Sequence, residues 1–227
     1  MGESRRLLVI GAHPDDAESG AGGSVALWSK AGDEVQLIVC TSGDKGTKDP
    51  DLSPHRLAEL REQEQEEAAR CLGISRVIFL RHQDGQLEPT LKFRGELALL
   101  IRQVRPDVVV THDPWRPYML HPDHRAVGFT ATDAIVAARD HLFHPEYLVS
   151  GISPHAPKEI YYFHTGSADL FTDISEVLER KLEALRCHRT QLAHVVGWED
   201  RMRKRAAEMG RQAGVAYAEG FKRVVLR

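Results

Sequence analysis

The chain has 227 residues, 42% hydrophobic and 28% charged, which is enough apolar material for a buried core in ordinary globular proportions. Its 30 basic and 33 acidic residues give a formal net charge of −3 without a long block of one sign, which argues against nucleic acid or an anionic membrane as an obligatory partner and favours a small molecule. Cys40, Cys71 and Cys187 make no disulfide framework and no Cys-x-x-Cys pair, and the N-terminal apolar run LLVIGA is too short for a signal sequence or a membrane span, so a soluble cytoplasmic protein is expected.

In chain order, Leu7–Gly11 reads as a buried strand, followed by the loop AHPDDAESGAGG. A helix over Ser24–Ala31 and a second strand over Glu34–Cys40 complete a βαβ unit. The polar loop TSGDKGTKDPDLSP leads to a long helix opened by Ser53 or Pro54 and stopped at Gly73. Val77–Leu80 is a third strand, Gly95–Val104 a helix and Asp107–Thr111 a fourth strand. The loop HDPWRPYMLHPDH then enters the helix RAVGFTATDAIVAARDH. Ile160–Phe163 is the last strand expected, and residues 174 to about 211 read as helical. This alternation predicts a Rossmann-like three-layer α/β/α fold with a mostly parallel sheet, formed as one domain over 1–227. Residues 144–158 are expected to be a loop within it.

Ligands of such sheets bind beyond the carboxyl ends of the strands. His13, Pro14, Asp15 and Asp16 follow the first strand, and His112 and Asp113 follow the fourth. His121 and His124, three residues apart at a helix start, face the same edge. Taken singly, His-Pro-Asp-Asp is a plausible turn and His-Pro-Asp-His an ordinary helix start. Together they offer imidazole and carboxylate ligands in the number a catalytic zinc site needs, with a position left for water. Asp15 and Asp16 would also repel each other unless a cation or a proton were present, and a metal removes that difficulty. Of the 12 histidines, five lie between His112 and His144.

The motifs Ala-His-Pro-Asp-Asp at 12–16, Thr-Ser-Gly-Asp-Lys-Gly at 41–46, Arg-Glu-x-Glu-x-x-x-Ala-Ala-x-x-Leu-Gly at 61–73, Asp-Gly at 84–85 and His-Pro-Asp-His at 121–124 together resemble the PIG-L/LmbE-like zinc-dependent N-deacetylases. That family includes enzymes acting on N-acetylglucosaminyl-phosphatidylinositol and on mycothiol and bacillithiol precursors. Fainter similarities occur over 181–191 and 217–221. The resemblance implies zinc ligands His13, Asp16 and His124, with Asp15 as general base. It also implies that His121 stabilises the oxyanion or protonates the leaving amine. Arg61 would reach the sugar or its substituent, and Asp84 the sugar hydroxyls. Arg61 read alone equally suits a pair with Glu64 or Gln65 along its helix, and Asp84 suits a turn.

The activity implied is removal of acetyl from an N-acetylated amino sugar or its conjugate, of N-acetylglucosaminyl-malate or -inositol type. The alternative is hydrolysis of another small N-acyl substrate by the same centre. Iron(II) can replace zinc at a His₂Asp site. Self-association is compatible with the family. Some relatives carry a tyrosine two residues before His121, where this chain has Met119 and places Tyr118 one position earlier. A partner carboxylate such as Asp113 is expected to keep His121 protonated. A dinucleotide site is disfavoured, because the first turn carries Gly-Ala-His-Pro-Asp-Asp where Gly-x-Gly-x-x-Gly would be needed, and its carboxylates would repel a pyrophosphate.

Overall fold

All five apolar runs are strands in the computed structural model, which describes residues 4–226. They are β1 (Arg6–Gly11), β2 (Glu34–Thr41), β3 (Arg76–His82), β4 (Val108–His112) and β5 (Glu159–Phe163), all parallel, with β1 between β2 and β4. Val9 pairs with Leu37 on one side and Val110 on the other. Two strands not expected from the sequence, β6 (Leu170–Asp173) and β7 (Ala218–Val225), run antiparallel to each other, and β7 pairs antiparallel with β5. The sheet order is β3-β2-β1-β4-β5-β7-β6.

The strands are apolar on both faces because both are covered. One face carries α1 (Asp16–Lys30), α2 (Pro54–Leu72), α6 (Leu178–Arg186) and α8 (Trp198–Ala213), with Val25, Leu72 and Leu182 packed on Val9, Leu37 and Val110. The other carries α3 (Leu91–Val104) and α4 (Pro122–Arg139), with Leu97, Ile101 and Val127 packed on Leu8, Ile38 and Val109. Full burial of each such aliphatic side chain contributes about 1.5–3 kcal/mol. This is the three-layer α/β/α arrangement expected from the alternation.

The helix ends follow local chemistry where caps are present. Ser53 accepts a hydrogen bond from the backbone of Arg56 at the start of α2, Gly73 ends it with φ of 79°, and Thr90 caps α3, which begins four residues before the predicted start. The largest misreading is α1, which begins at Asp16 and not at Ser24. Gly20 and Gly23 look like loop residues, but they let the helix lie close to its neighbours. A Cβ on Gly20 would stand 2.5 Å from the Phe163 ring, and one on Gly23 would stand 2.6 Å from Ile174. The stretch from 174 to about 211, read as helical, consists of α6, the short α7 (Arg189–Leu192) and α8. A further short helix, α5 (Pro145–Val149), lies in the predicted 144–158 loop. Among the described residues, no helix is long and apolar enough to cross a membrane.

Candidate active site and metal centre

β1 and β4 are sheet neighbours, but the chain leaves β1 toward β2 and leaves β4 toward β5, so a crevice opens beyond their carboxyl ends. His13, Asp15 and Asp16 stand at the end of β1, His112 at the end of β4, and the N-terminus of α4 brings in His121, Asp123 and His124.

The structure brings His13, Asp16 and His124 to one point. His13 Nδ1 lies 3.2 Å from His124 Nε2 and 3.6 Å from Asp16 Oδ2, and Asp16 Oδ1 lies 3.3 Å from His124 Nε2. Atoms bound at about 2.0–2.1 Å in a tetrahedral zinc site stand about 3.4 Å apart, which is the spacing found. Supporting contacts orient each group. Asp16 Oδ2 accepts from the backbone N–H groups of Ala12 (3.0 Å) and His13 (2.8 Å) and from His112 Nε2 (3.1 Å), which leaves Oδ1 toward His124. His13 Nε2 donates toward Asp84 Oδ1 at 3.0 Å and Asp123 Oδ2 at 3.1 Å. A carboxylate on the outer nitrogen is the usual support of a metal-binding imidazole, since it fixes the tautomer with the other lone pair inward. His13, His121 and His124 also form a group with one ligand atom each within 4.8 Å, as do Asp16, His112 and His124.

The electrostatics favour positive charge at this point. Burial disfavours a charge on His13, yet Asp123, Asp16 and Asp84 outweigh it and hold its proton up to about 11. Burial opposes charge on Asp16 too, but His112 and His124 keep its pKa well below the carboxylate range. Burial likewise opposes charge on Asp84, and the His13 contact lowers its pKa to about 2. Asp15 differs. Burial raises its pKa, Arg61 pulls against it and Asp16 adds to it, and the net shift is upward.

Asp15 is held beside His13 and Asp16 in the left-handed region, with φ of 98°. Its N–H donates to Gln65 Oε1 at 3.1 Å, and Gln65 Nε2 donates to Glu18 Oε1 at 2.7 Å. Glu18 Oε2 lies 3.4 Å from His188 Nε2, and both side chains are fully buried. Arg61, which is also buried, donates to Pro14 O (2.7 Å), Gly43 O (3.0 Å) and Asp15 Oδ2 (3.2 Å).

Arg61 and Asp84, for which the resemblance implies sugar contacts, thus direct their side chains at Asp15 and His13. Arg61 pairs with neither Glu64 nor Gln65. Glu64 accepts from the backbone and hydroxyl of Thr190. His121 sits at the exposed rim, its ring 4.6 Å from that of His13 and 4.7 Å from that of His124. The expected Asp113 partnership is absent: Asp113 Oδ1 accepts from the backbone of Trp115 at 3.0 Å. Burial, then His13 and His124, lower the His121 pKa, so the expectation of a raised value is corrected. Tyr118 is 95% exposed.

Sequence reading missed Glu18, Gln65, His188 and Asp123 as supports of the site. Asp123 had a signal, because it lies inside His-Pro-Asp-His. His188 had a fainter one, as the histidine of the 181–191 similarity, whereas Glu18 and Gln65 join segments far apart in the chain and carry no local signature.

The PIG-L family profile, described as GlcNAc-PI de-N-acetylase, matches residues 8–135. The diacetylchitobiose deacetylase of Thermococcus kodakarensis is 36% identical over 220 residues, spanning 96% of this chain and 82% of that protein. The 1D-myo-inositol 2-acetamido-2-deoxy-alpha-D-glucopyranoside deacetylase of Mycobacterium leprae is 33% identical over 61% of this chain, which corresponds to 52% of that longer protein. Among solved structures, the N,N'-diacetylchitobiose deacetylase of Pyrococcus horikoshii, complexed with its inhibitor MPG, superposes with a TM-score of 0.95 at 35% identity, covering 98% of this chain and 85% of that one.

Proposed function

Because the chain belongs to the PIG-L family, we propose that it works as a single-domain metal-dependent hydrolase removing the acetyl group from an N-acetylated amino sugar or its conjugate. The observation that carries this reading is the convergence of His13, Asp16 and His124 with a separate carboxylate, Asp15, alongside. The donor set fits a divalent zinc ion, with iron(II) as the substitute, and the chemistry such an ion supplies is an acidified water and a polarised amide carbonyl.

Asp15 is assigned as the base. It takes a proton from water as the water oxygen joins the acetyl carbon. His121, at the rim, donates a ring N–H hydrogen bond to the oxyanion, and Asp15 passes the proton it took from water to the nitrogen as the C–N bond breaks, so that acetic acid and a free amine leave. Gln65 and Arg61 hold Asp15, while Asp84 and Asp123 hold His13. The sugar would lie over this floor against the exposed His121, while Arg61 and Asp84, both buried, act on it through Asp15 and His13.

The test is acetate release by the metal-loaded protein from N-acetylglucosamine, diacetylchitobiose and an inositol conjugate. Acetate from at least one supports the reading. If none releases acetate while the metal is bound, the amino-sugar assignment fails, and hydrolysis of a different small N-acyl substrate becomes the reading to pursue.

A further inference from the structure

A second cluster of charged side chains lies outside the metal centre, where the carboxyl end of β5 meets α1, α6, α8 and β7. It surrounds a cavity of about 70 Å³ whose lining includes Ser19, His164, Lys181, Arg205 and Glu219. A water needs roughly 10–15 Å³ of such space, so the cavity admits about five water-sized groups, the size of a small oxyanion.

Its charges do not balance. Glu219 is fully engaged: Lys181 Nζ donates to it at 2.6 Å, and the backbone N–H groups of Gly23 and Ser24 donate at 2.9 and 2.8 Å. Lys181 spends a second donor on Ser19 O at 3.0 Å. Arg205, in contrast, has no side-chain hydrogen bond or ion pair among the described residues, and neither does Arg116 nearby. Burial, and then the like charge of Arg116, hold the Arg205 pKa below the usual arginine value against smaller pulls from Glu219 and Glu208. The half-buried guanidinium thus meets no acceptor among the described residues and keeps donors open to solvent, which a bound oxyanion can take up in place of water.

His164 contributes backbone strain and a side chain with little other use. It follows β5 with φ of 55°, in the left-handed region, and its Nε2 makes only a long contact of 3.4 Å with Ser19 Oγ. The cavity is separate from the metal residues, since the His164 ring stands between it and His112, with ring centroids 6.1 Å apart.

We propose that the cavity bounded by Arg205, His164 and Lys181 is a binding site for one small oxyanion, a carboxylate or a tetrahedral oxyanion, with Arg205 as its principal ligand. The site does not depend on the metal centre's activity.

The experiment titrates the full, metal-loaded chain with sodium acetate and with sodium sulfate at constant ionic strength against a chloride control, measured by calorimetry. Saturable binding of one anion per chain is expected, and the tighter of the two probes identifies the class. Arg205→Gln should weaken it at least ~10-fold with metal content unchanged, since the charge-assisted hydrogen bonds are lost. Ala206→Leu, which fills the cavity without changing charge, should weaken it comparably and serves if Arg205→Gln does not fold. No binding beyond the chloride control, or binding undiminished in the folded variants, as for an anion sitting on the metal, overturns the proposal.

Discussion

The backbone N–H of Asp15 donates to the side-chain oxygen of Gln65 at 3.1 Å, and the amide nitrogen of Gln65 donates to Glu18 at 2.7 Å. A residue 50 positions away thus holds the unusual backbone of Asp15 in place. Gln65→Leu leaves two buried polar groups without partners, each costing about 1–3 kcal/mol of stability. It also frees Asp15 to relax, so kcat should fall by up to about 100-fold with little change in KM or metal content. Gln65→Glu cannot substitute, because it would set a second carboxylate against Glu18. Steady-state kinetics with metal analysis on Gln65→Leu checks this.

Asp84 and Asp123 share the outer nitrogen of His13. Asp84→Asn keeps the shape but removes a charge that orients the imidazole. Metal affinity should drop about 10–100-fold, as is typical when the carboxylate supporting a metal-bound histidine is lost. Competition with a chromophoric chelator measures it. If Asp84 served the sugar alone, KM would rise while metal affinity stayed constant.

His188 and Glu18 are both fully buried, with nitrogen and oxygen 3.4 Å apart. Burial disfavours the imidazolium, but the Glu18 contact outweighs it and raises the His188 pKa above its ordinary value. A raised folded-state pKa means that this contribution to stability is fully present below about pH 6.5 and is lost as pH rises through the folded value. Melting temperatures followed from about pH 6 upward should decline less steeply for His188→Gln than for the parent chain.

Arg102 is fully buried and donates to the carbonyls of Ala137, Ala138, Asp140, Phe143 and His144, binding α3 to the last turn of α4 and the segment after it. Arg102→Leu leaves these acceptors unmet and should cost about 3 kcal/mol or more, placing it among severe single substitutions. Denaturant unfolding tests this, with metal affinity expected to be unchanged in the folded fraction.

Local signals carried much of the architecture. Continuous apolar runs such as Leu7–Gly11 and Val108–Thr111 marked the strands, because a parallel sheet is covered on both faces. The histidine and aspartate motifs could be placed at one edge because they immediately follow those strands. What was not legible depends on contacts between distant segments. Gly20 and Gly23 read as loop until Phe163 and Ile174 are seen pressing against them. β7 has no distinctive run of its own and forms by pairing with β5 and β6. The inward turn of Arg61 onto Asp15, and the chain from Gln65 through Glu18 to His188, join residues whose spacing carries no period.

Under the proposed function the adjacent carboxylates divide the labour, Asp16 holding the metal and Asp15 transferring the proton. The direct measurement is zinc content and acetate release for Asp15→Asn and Asp16→Asn side by side. Asp15→Asn should keep one zinc per chain and lose at least ~100-fold in turnover, the scale of a missing general base, while Asp16→Asn loses zinc affinity. An Asp15→Asn protein that loses its zinc, or one that retains both zinc and full turnover, would contradict it.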